Sequence, residues 1–209
     1  MGNMVGKKVA RRIFTAGAAG VLLLYLSGCD TKPEEPELTA REGRDKAVQL
    51  VEDTSKEIDV TGWWARGPAY AGPCEGDPDS SSQYSYAYWA PEGENPHADA
   101  EKIAEYWESL GMSVYIEGAE KAHPGVFAAG GPVLRASFDT GAAERSYRIG
   151  AIAPCSPGAY HLFNEEDDAA RELGELLPGD DVMVPEAEVG EKFEEHRRIA
   201  EEADRAKDK

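Results

Sequence analysis

The chain changes character abruptly at Cys29, and this change constrains the rest of the sequence most. A basic stretch without acids leads into the apolar run 13–26, which is short for a membrane-spanning helix of about 20 residues. After Cys29 the sequence becomes acidic and proline-bearing at once, whereas the exit side of a membrane anchor more usually carries Lys or Arg. The pattern therefore predicts a signal peptide over residues 1–28, which is not part of the mature fold.

The four residues Leu26, Ser27, Gly28 and Cys29 resemble the lipobox of bacterial lipoproteins, Leu-(Ala/Ser)-(Gly/Ala)-Cys. The resemblance implies cleavage between Gly28 and Cys29 and attachment of a diacylglyceryl group to the Cys29 thiol, which is the nucleophile. Two acyl chains give stable attachment to a bilayer. We therefore expect a lipoprotein on the extracytoplasmic face of the cell membrane, with the bilayer as a partner through Cys29.

The leader also contains Arg11-Arg12-Ile13-Phe14, which is similar to the twin-arginine export pattern Arg-Arg-x-Phe. The Ser or Thr that usually precedes this pattern and the Leu-Lys that usually follows it are both missing. Two adjacent arginines in an ordinary basic leader also explain the segment. Export by the twin-arginine route and export by the general route both remain open.

The charge of the chain argues against two classes of partner. Asp and Glu number 40 and Lys and Arg 22, which gives a net charge of −18. Nucleic acids and anionic lipid surfaces are bound through Lys and Arg, so we expect neither of them as a partner. A solubilising acidic surface explains the charge, and binding of cations or basic ligands is the alternative.

The remaining sequence divides into three parts. Residues 29–38 carry acids and prolines that cannot form a core, and they predict a tether. Residues 39–163 predict one domain, and residues 164–209 predict an acidic, mostly helical extension. Within the extension, we expect a short helix opened by residues 165–168 and docked by leucines, an edge strand at 180–185, and a solvated or detached helix from residue 189.

The domain pattern predicts an α+β fold. Thr39 and Glu42 form a capping box before a first helix, and Asn95-Pro96 is typical of the start of a second. Alternating apolar residues predict four strands, 82–90, 112–116, 132–139 and 145–153. The segment 121–131, between the second and third of these strands, is predicted to be a loop. We therefore expect a largely antiparallel four-stranded sheet with two helices on one face.

Two cysteines remain besides Cys29. Cys74 precedes the first predicted strand and Cys155 follows the last. In an exported protein such a pair is typical of a disulfide, and neither CxxC spacing nor a neighbouring His indicates a reactive thiol. The sequence therefore predicts a Cys74–Cys155 bridge.

Aromatic residues supply the candidate ligand face. The alternation in the first strand places three tyrosines on one face, and a tryptophan pair and a histidine turn lie in loops; these candidates are Trp63, Trp64, Tyr84, Tyr86, Tyr88 and His123. They predict an aromatic platform for a sugar ring or a peptide. Packing of the tyrosines across a half-buried sheet is the structural alternative.

No catalytic motif is present in the sequence. The four histidines lack the spacing of a zinc site, and nucleophile-elbow, P-loop and dinucleotide signatures are missing, so we expect no enzyme, no metal and no cofactor. The chain resembles the small uncharacterised lipoproteins of high-GC Gram-positive bacteria, a class that implies no activity. We expect a binding or interaction module with an envelope protein or cell-wall ligand as partner. An accessory subunit acting through the acidic C-terminal helix and a small envelope hydrolase are the alternatives.

Overall fold

The computed structural model describes residues 38–143 and 145–207. In this part of the chain there are four α-helices, α1 (Ala40–Ser55), α2 (Pro96–Ser109), α3 (Tyr160–Glu172) and α4 (Val189–Lys207). The same part contains eight strands: β1 (Trp64–Ala65), β2 (Tyr70–Cys74), β3 (Asp77–Pro91), β4 (Ser113–Glu117), β5 (Gly125–Ala129), β6 (Arg135–Ala143), β7 (Ser146–Ile152) and β8 (Ser156–Pro157).

All strands belong to one antiparallel sheet with the order β1-β3-β7-β6-β5-β4, and β2 and β8 also pair with β3. The 15-residue β3 is long enough to pair with all of these neighbours. The prediction of an α+β fold with a largely antiparallel sheet is confirmed. The predicted number of four strands is wrong, because the four predicted strands correspond to β3, β4, β6 and β7 and four more join them.

The additional strands lie in segments whose composition does not favour strands. The predicted loop 121–131 contains β5, which pairs with β4 on one side and β6 on the other. The Pro- and Gly-rich region before β3 contains β1 and β2, both of which pair with β3. Pro73 is tolerated in β2 because β2 pairs only with β3, so its other edge needs no ladder hydrogen bond.

Helices α1 and α2 cover one face of the sheet. The predicted capping box is present, with the Thr39 side chain accepting from the Glu42 backbone N–H and the Glu42 side chain accepting from Thr39. Side chains from α1, α2 and this face of the sheet form the core, whose largest fully buried members include Val51, Ile103, Trp107, Val126, Phe138, Tyr147 and Ile149.

Two buried hydrogen bonds fix the positions of these helices. The Trp107 indole on α2 donates to the Thr54 hydroxyl on α1 at 2.9 Å. The Tyr147 hydroxyl on β7 donates to Asp99 on α2 at 2.9 Å. Burial raises the pKa of Asp99, and the Tyr147 hydrogen bond opposes this shift.

The C-terminal extension packs on the sheet instead of extending into solvent. Helix α3 spans the predicted boundary at residue 163 and contacts β2 and β3. It begins at Tyr160, so the acidic residues 165–168 lie inside it instead of opening it. Of the three leucines that were expected to dock, Leu173 and Leu176 are 82% and 78% exposed, and only Leu177 is half-buried.

The expected edge strand at 180–185 is a 3₁₀ turn, Asp180–Val182, followed by a second, Glu186–Glu188. Only a single parallel bridge, between Met183 and Ala65, joins this segment to the sheet. The acids in the segment explain the difference, since Asp180 is buried against Arg171 of α3 at 2.9 Å and accepts the Leu177 backbone N–H.

Helix α4 docks on the sheet through one face, so the expectation of a detached helix is wrong, whereas most of its side chains are exposed, as expected for a solvated helix. Its His196 is buried and accepts a hydrogen bond from the Trp64 indole at 3.0 Å. Phe193 packs edge-on against both Trp64 and Trp89 at 5.3 Å between ring centroids. Two aromatic side chains on one helical face therefore replace the aliphatic stripe that the sequence lacks.

The predicted disulfide is confirmed, since Cys74 at the end of β2 is bonded to Cys155 after β7. The bridge closes a loop of 81 residues, which is worth about 4.5 kcal/mol on the chain-entropy model. The predicted signal peptide, Cys29 and nearly all of the tether lie outside the described residues. Among the residues that the structure does describe, no helix is long and apolar enough to cross a membrane.

Candidate functional site

The three tyrosines of the predicted ligand face lie in the core. Tyr84, Tyr86 and Tyr88 are almost fully buried on the helix-covered face of β3. The Tyr84 hydroxyl donates to Asp167 at 2.7 Å and the Tyr86 hydroxyl donates to the Gly179 carbonyl at 2.6 Å. Burial raises the pKa of Tyr88 to about 12. This row of tyrosines therefore packs the sheet against its helices and offers no surface to a ligand.

The other predicted ligand-face residues have different neighbours. Trp64 is buried against α4, as described above. Trp63 is half-buried, donates from its indole to the Val60 carbonyl at 2.9 Å and stacks on Tyr88. His123 is exposed and lies 3.3 Å from a Glu92 carboxylate oxygen. The Glu92 carboxylate also binds Arg145, so its negative charge is already matched.

Ser146 and His196 form a buried pair that has the composition of a nucleophile and its base. The Ser146 hydroxyl lies 2.8 Å from His196 Nδ1. The Trp64 indole can only donate, so His196 Nε2 is the acceptor, and the network assigns the proton of the neutral ring to Nδ1. Burial lowers the pKa of His196 to about 4, which keeps the ring neutral at pH 7. Nδ1–H therefore donates to Ser146 and does not remove its proton, and the pair is structural.

The opposite face of the sheet holds a groove with a volume of about 990 Å³. Side chains alternate along a strand, so Ser85, Ala87 and Trp89 point into this groove while the tyrosines between them point into the core. Ala87 is paired with Gly150 of β7, and Gly150 is paired with Ser137 of β6. A row of small residues across three strands therefore forms the floor.

Aromatic side chains stand on both sides of this floor. Trp89 lines the groove next to α4, where Phe193 packs against it. On the far side, Tyr115 of β4 and Phe127 of β5 are register partners whose rings stack at 5.3 Å with an interplanar angle of 18°. Tyr115 is 61% exposed although it belongs to a paired strand. The groove therefore combines a low floor with aromatic walls.

Arg148 is the most constrained cation in the groove. Its guanidinium lies 5.7 Å from the centre of the Trp89 ring. A Cβ atom at Gly150 would lie 3.1–3.3 Å from three guanidinium atoms, which places the guanidinium above that glycine. Within residues 38–143 and 145–207, Arg148 has no hydrogen bond or ion pair. Burial lowers its pKa, and the charge of Asp139 on the neighbouring strand opposes this shift.

Two further arginines line the groove. Arg66 forms an ion pair with Glu186 at 3.1 Å, and both side chains lie at the rim. Arg135 is exposed and, like Arg148, has no ion pair with another described residue. By contrast, carboxylates bind the arginines on the helix-covered side and at the C-terminal segment, namely Arg41, Arg44, Arg145 and Arg171. The groove therefore holds two guanidinium groups that form no ion pair with a described residue, although Asp139 lies opposite Arg148 on the neighbouring strand.

Sequence reasoning identified Trp64 and the tyrosines but missed the groove residues. One signal was available in β7, where Tyr147, Ile149 and Ala151 are buried while Arg148 and Gly150 take the opposite face. A strand of this kind indicates a sheet with a second, polar face. Tyr115 and Phe127 could not be added, because β5 was not recognised as a strand.

The described residues contain no group of three or more His, Cys, Asp or Glu side chains that could hold a metal ion. No protein-family profile matches the chain, and no curated protein is similar to it. A crystal structure of a DUF4853 family protein from Actinomyces odontolyticus is similar in part, with a TM-score of 0.40 and 14% identity over 58% of this chain and 71% of that one. Similarity this low supports no conclusion about function.

Proposed function

We propose that the chain is a lipid-anchored extracytoplasmic lipoprotein whose domain binds a small ligand in the groove on the face of the sheet opposite α1 and α2. The observation that carries the proposal is the shape and lining of that groove. Ligand sites in proteins are clefts of roughly 300–1,000 Å³, lined by apolar and aromatic side chains with a few polar groups that fix orientation. A cleft of about 990 Å³ with a small-residue floor and aromatic walls has this character.

The uncovered face of the sheet supports a binding role for a second reason. A sheet that carries helices on one face normally exposes polar side chains on the other. Here α4 packs on the Trp89 end of that face through Phe193, and the rest of the face carries the stacked Tyr115–Phe127 pair. Aromatic surface that no helix covers marks an interaction site more often than a solvated face.

The anchoring half of the proposal rests on the Leu26–Ser27–Gly28–Cys29 resemblance. The Cys74–Cys155 disulfide supports it, because disulfides persist in exported proteins and are rare in reducing compartments.

Calorimetric titration of the purified full-length chain tests the binding half. The probes are three naphthalenes of equal size: 2-naphthoate, neutral 2-naphthamide and cationic 2-naphthylmethylamine. We expect at least one of them to bind the wild type. Ala87→Trp fills the floor of the groove and should abolish that binding, whereas Ala119→Trp, in an exposed turn, should leave it unchanged. Binding of none of the three, or equal binding by both variants, would contradict the proposal.

The two alternative functions receive less support from the structure. An accessory subunit acting through α4 would need an unused apolar face on that helix, but Phe193 and His196 already pack on the sheet. A hydrolase would need an accessible nucleophile and base, and the Ser146–His196 pair is buried with the proton on the wrong nitrogen. Ligand binding is therefore the function that we propose.

A further inference from the structure

We propose that the ligand of the groove is an organic anion that carries a flat ring, with its carboxylate or phosphate bound by Arg148 and Arg135 and its ring packed on Tyr115 and Phe127. This inference rests on the proposed binding function and adds the chemical class of the ligand. It differs from the expectation, drawn from the overall charge, that an acidic protein binds cations or basic ligands.

The charge of the groove is opposite to that of the chain. The whole sequence has a net charge of −18, yet the groove is lined by three arginines and one acid, namely Arg66, Arg135, Arg148 and Glu186. Arg66 and Glu186 neutralise each other at the rim. Asp139 lies opposite Arg148 on the neighbouring strand and partly offsets its charge. The groove lining itself still carries two guanidinium groups without an ion pair, and this local excess of positive charge favours an anionic ligand.

Arg148 is held in place in a way that suits an anion site. The Trp89 ring supports one side of the guanidinium by a cation–π contact. The absence of a side chain at Gly150 gives the guanidinium room to lie low over the floor. No carboxylate of the described residues forms an ion pair with it. Asp139, the register partner of Arg148, forms no ion pair with it, and the Asp139 carboxylate instead accepts the Gly141 backbone N–H. The half-buried Arg148 guanidinium therefore retains donors that a carboxylate or phosphate satisfies in a bidentate manner.

Ser137 and Arg135 complete the polar end of the site. Ser137 is the register partner of Gly150, and the Arg148 guanidinium lies above Gly150. Ser137 is therefore one strand spacing, about 4.8 Å, from the residue beneath the guanidinium. This hydroxyl forms no side-chain hydrogen bond with the described residues. Arg135 is two residues from Ser137 on the same face of β6, and its side chain is long enough to reach the same anion.

The ring end of the site follows from the same register. Phe127 is the partner of Ser137, and Tyr115 is the partner of Phe127. Phe127 therefore lies one strand, about 4.8 Å, from Ser137, and Tyr115 lies two strands, about 10 Å, from it. A ligand whose anionic group is attached directly to a flat ring system spans this distance. An extended aliphatic anion would leave the exposed Tyr115 face uncovered.

The three naphthalene probes test the ligand class on the full-length chain by calorimetry. We expect 2-naphthoate to bind about 10-fold more tightly than 2-naphthamide, because charge-assisted hydrogen bonds from a guanidinium are worth more than neutral ones. Arg148→Gln and Arg135→Gln should each lower the affinity for 2-naphthoate by about 10-fold and change the affinity for 2-naphthamide by less than about twofold. Arg198→Gln, on the exposed side of α4, is the matched control and should change neither affinity.

Three results would show that the ligand is not an aromatic anion. They are equal affinities for 2-naphthoate and 2-naphthamide, tighter binding of 2-naphthylmethylamine than of 2-naphthoate, or an equal loss of 2-naphthoate affinity in Arg148→Gln and Arg198→Gln. If 2-naphthamide then still bound and Ala87→Trp still abolished that binding, the groove would remain a binding site and the inference alone would fail. If none of the three probes bound, the proposed function would fail together with it. Replacing 2-naphthoate by 2-naphthyl phosphate distinguishes a carboxylate from a phosphate as the preferred anion.

Discussion

Asp167 of α3 is a buried carboxylate on which three elements converge. Its side chain is 1% exposed and accepts from Arg41 at 2.7 Å, Arg44 at 3.4 Å and the Tyr84 hydroxyl at 2.7 Å. Arg41 and Arg44 belong to α1 and Tyr84 to β3, so one residue ties α3 to both. Its neighbour Glu166 binds only Arg41 and is 63% exposed.

This contrast predicts different costs for two conservative substitutions. Asp167→Asn removes the buried charge that Arg41 and Arg44 share and leaves Arg44 only its ion pair with the exposed Asp45. This change should lower the free energy of unfolding by about 3 kcal/mol, because breaking a buried ion pair is strongly destabilising. Glu166→Gln removes an exposed pair and should cost less than about 1 kcal/mol. Urea unfolding followed by tryptophan fluorescence measures both values. Losses of equal size would show that Asp167 does not hold α3 in place.

The same residue shows what the sequence could and could not indicate. The run 165–168 was recognised as acidic, and stabilisation of a helix N-terminus accounted for it. That Asp167 is the one of the four that contacts both Arg41 and Arg44 depends on contacts across more than 120 residues of sequence. Local pattern gives the residue type of a cluster, but tertiary contacts decide which member is buried.

Among the elements, α4 is held by a buried histidine, and this makes its docking sensitive to pH. His196 lies between the Trp64 indole and the Ser146 hydroxyl, with Glu195 and Lys192 as the charged neighbours that affect it. Burial lowers its pKa from the ordinary 6.5 to about 4. Between these values the unfolded chain binds a proton that the folded chain does not, so stability is lost as the pH falls through this window.

We therefore expect the free energy of unfolding to fall by about 2 kcal/mol between pH 7 and pH 4.5 on account of His196. In His196→Gln, which does not titrate, the decrease over the same range should be smaller by about that amount. Denaturant titrations at the two pH values give the difference. His97→Gln, which replaces an exposed histidine, serves as the control. A decrease of the same size in wild type and His196→Gln would exclude this role.

Elements with strong local signals were predicted well, and those without them were not. The capping residues Thr39 and Asn95 placed α1 and α2 correctly, because a cap satisfies backbone donors locally. The strand β5 has the sequence Gly-Val-Phe-Ala-Ala, whose small residues carry little strand preference. It is a strand because β4 and β6 pair with both of its edges, so tertiary pairing overrides the weak local preference.

On the scale of the whole molecule, the distribution of charge distinguishes the two faces of the sheet. Acids dominate the sequence, and on the helix-covered side arginines such as Arg41 and Arg44 are bound by carboxylates. On the open side, Arg135 and Arg148 are not. The sequence reports only the sum of these charges, −18, which pointed to cations or basic ligands. The placement of two arginines without ion pairs on one face exists only in the folded sheet.

The anchoring proposal makes a prediction for the whole protein in its cell. Cys29→Ala removes the thiol that the lipobox resemblance assigns to the lipid, so the protein should lose incorporation of a palmitate analogue and leave the membrane fraction. Cys74→Ser combined with Cys155→Ser should retain the lipid label, because those residues form the disulfide. Metabolic labelling with the palmitate analogue measures lipid attachment in each variant, and fractionation of the cells measures its association with the membrane. Retention of label in Cys29→Ala would contradict lipid attachment at this residue.

The most direct test of the account is to map where an aromatic anion binds. We would irradiate the full-length chain with 4-benzoylbenzoate, a photoreactive carboxylate, and locate the adducts by peptide mass spectrometry. We expect adducts in β4, β5 and the first residues of β6, around Tyr115, Phe127 and Ser137, with a reduced yield in Arg148→Gln. Adducts confined to the helix-covered side of the sheet, or an unchanged yield in Arg148→Gln, would contradict it.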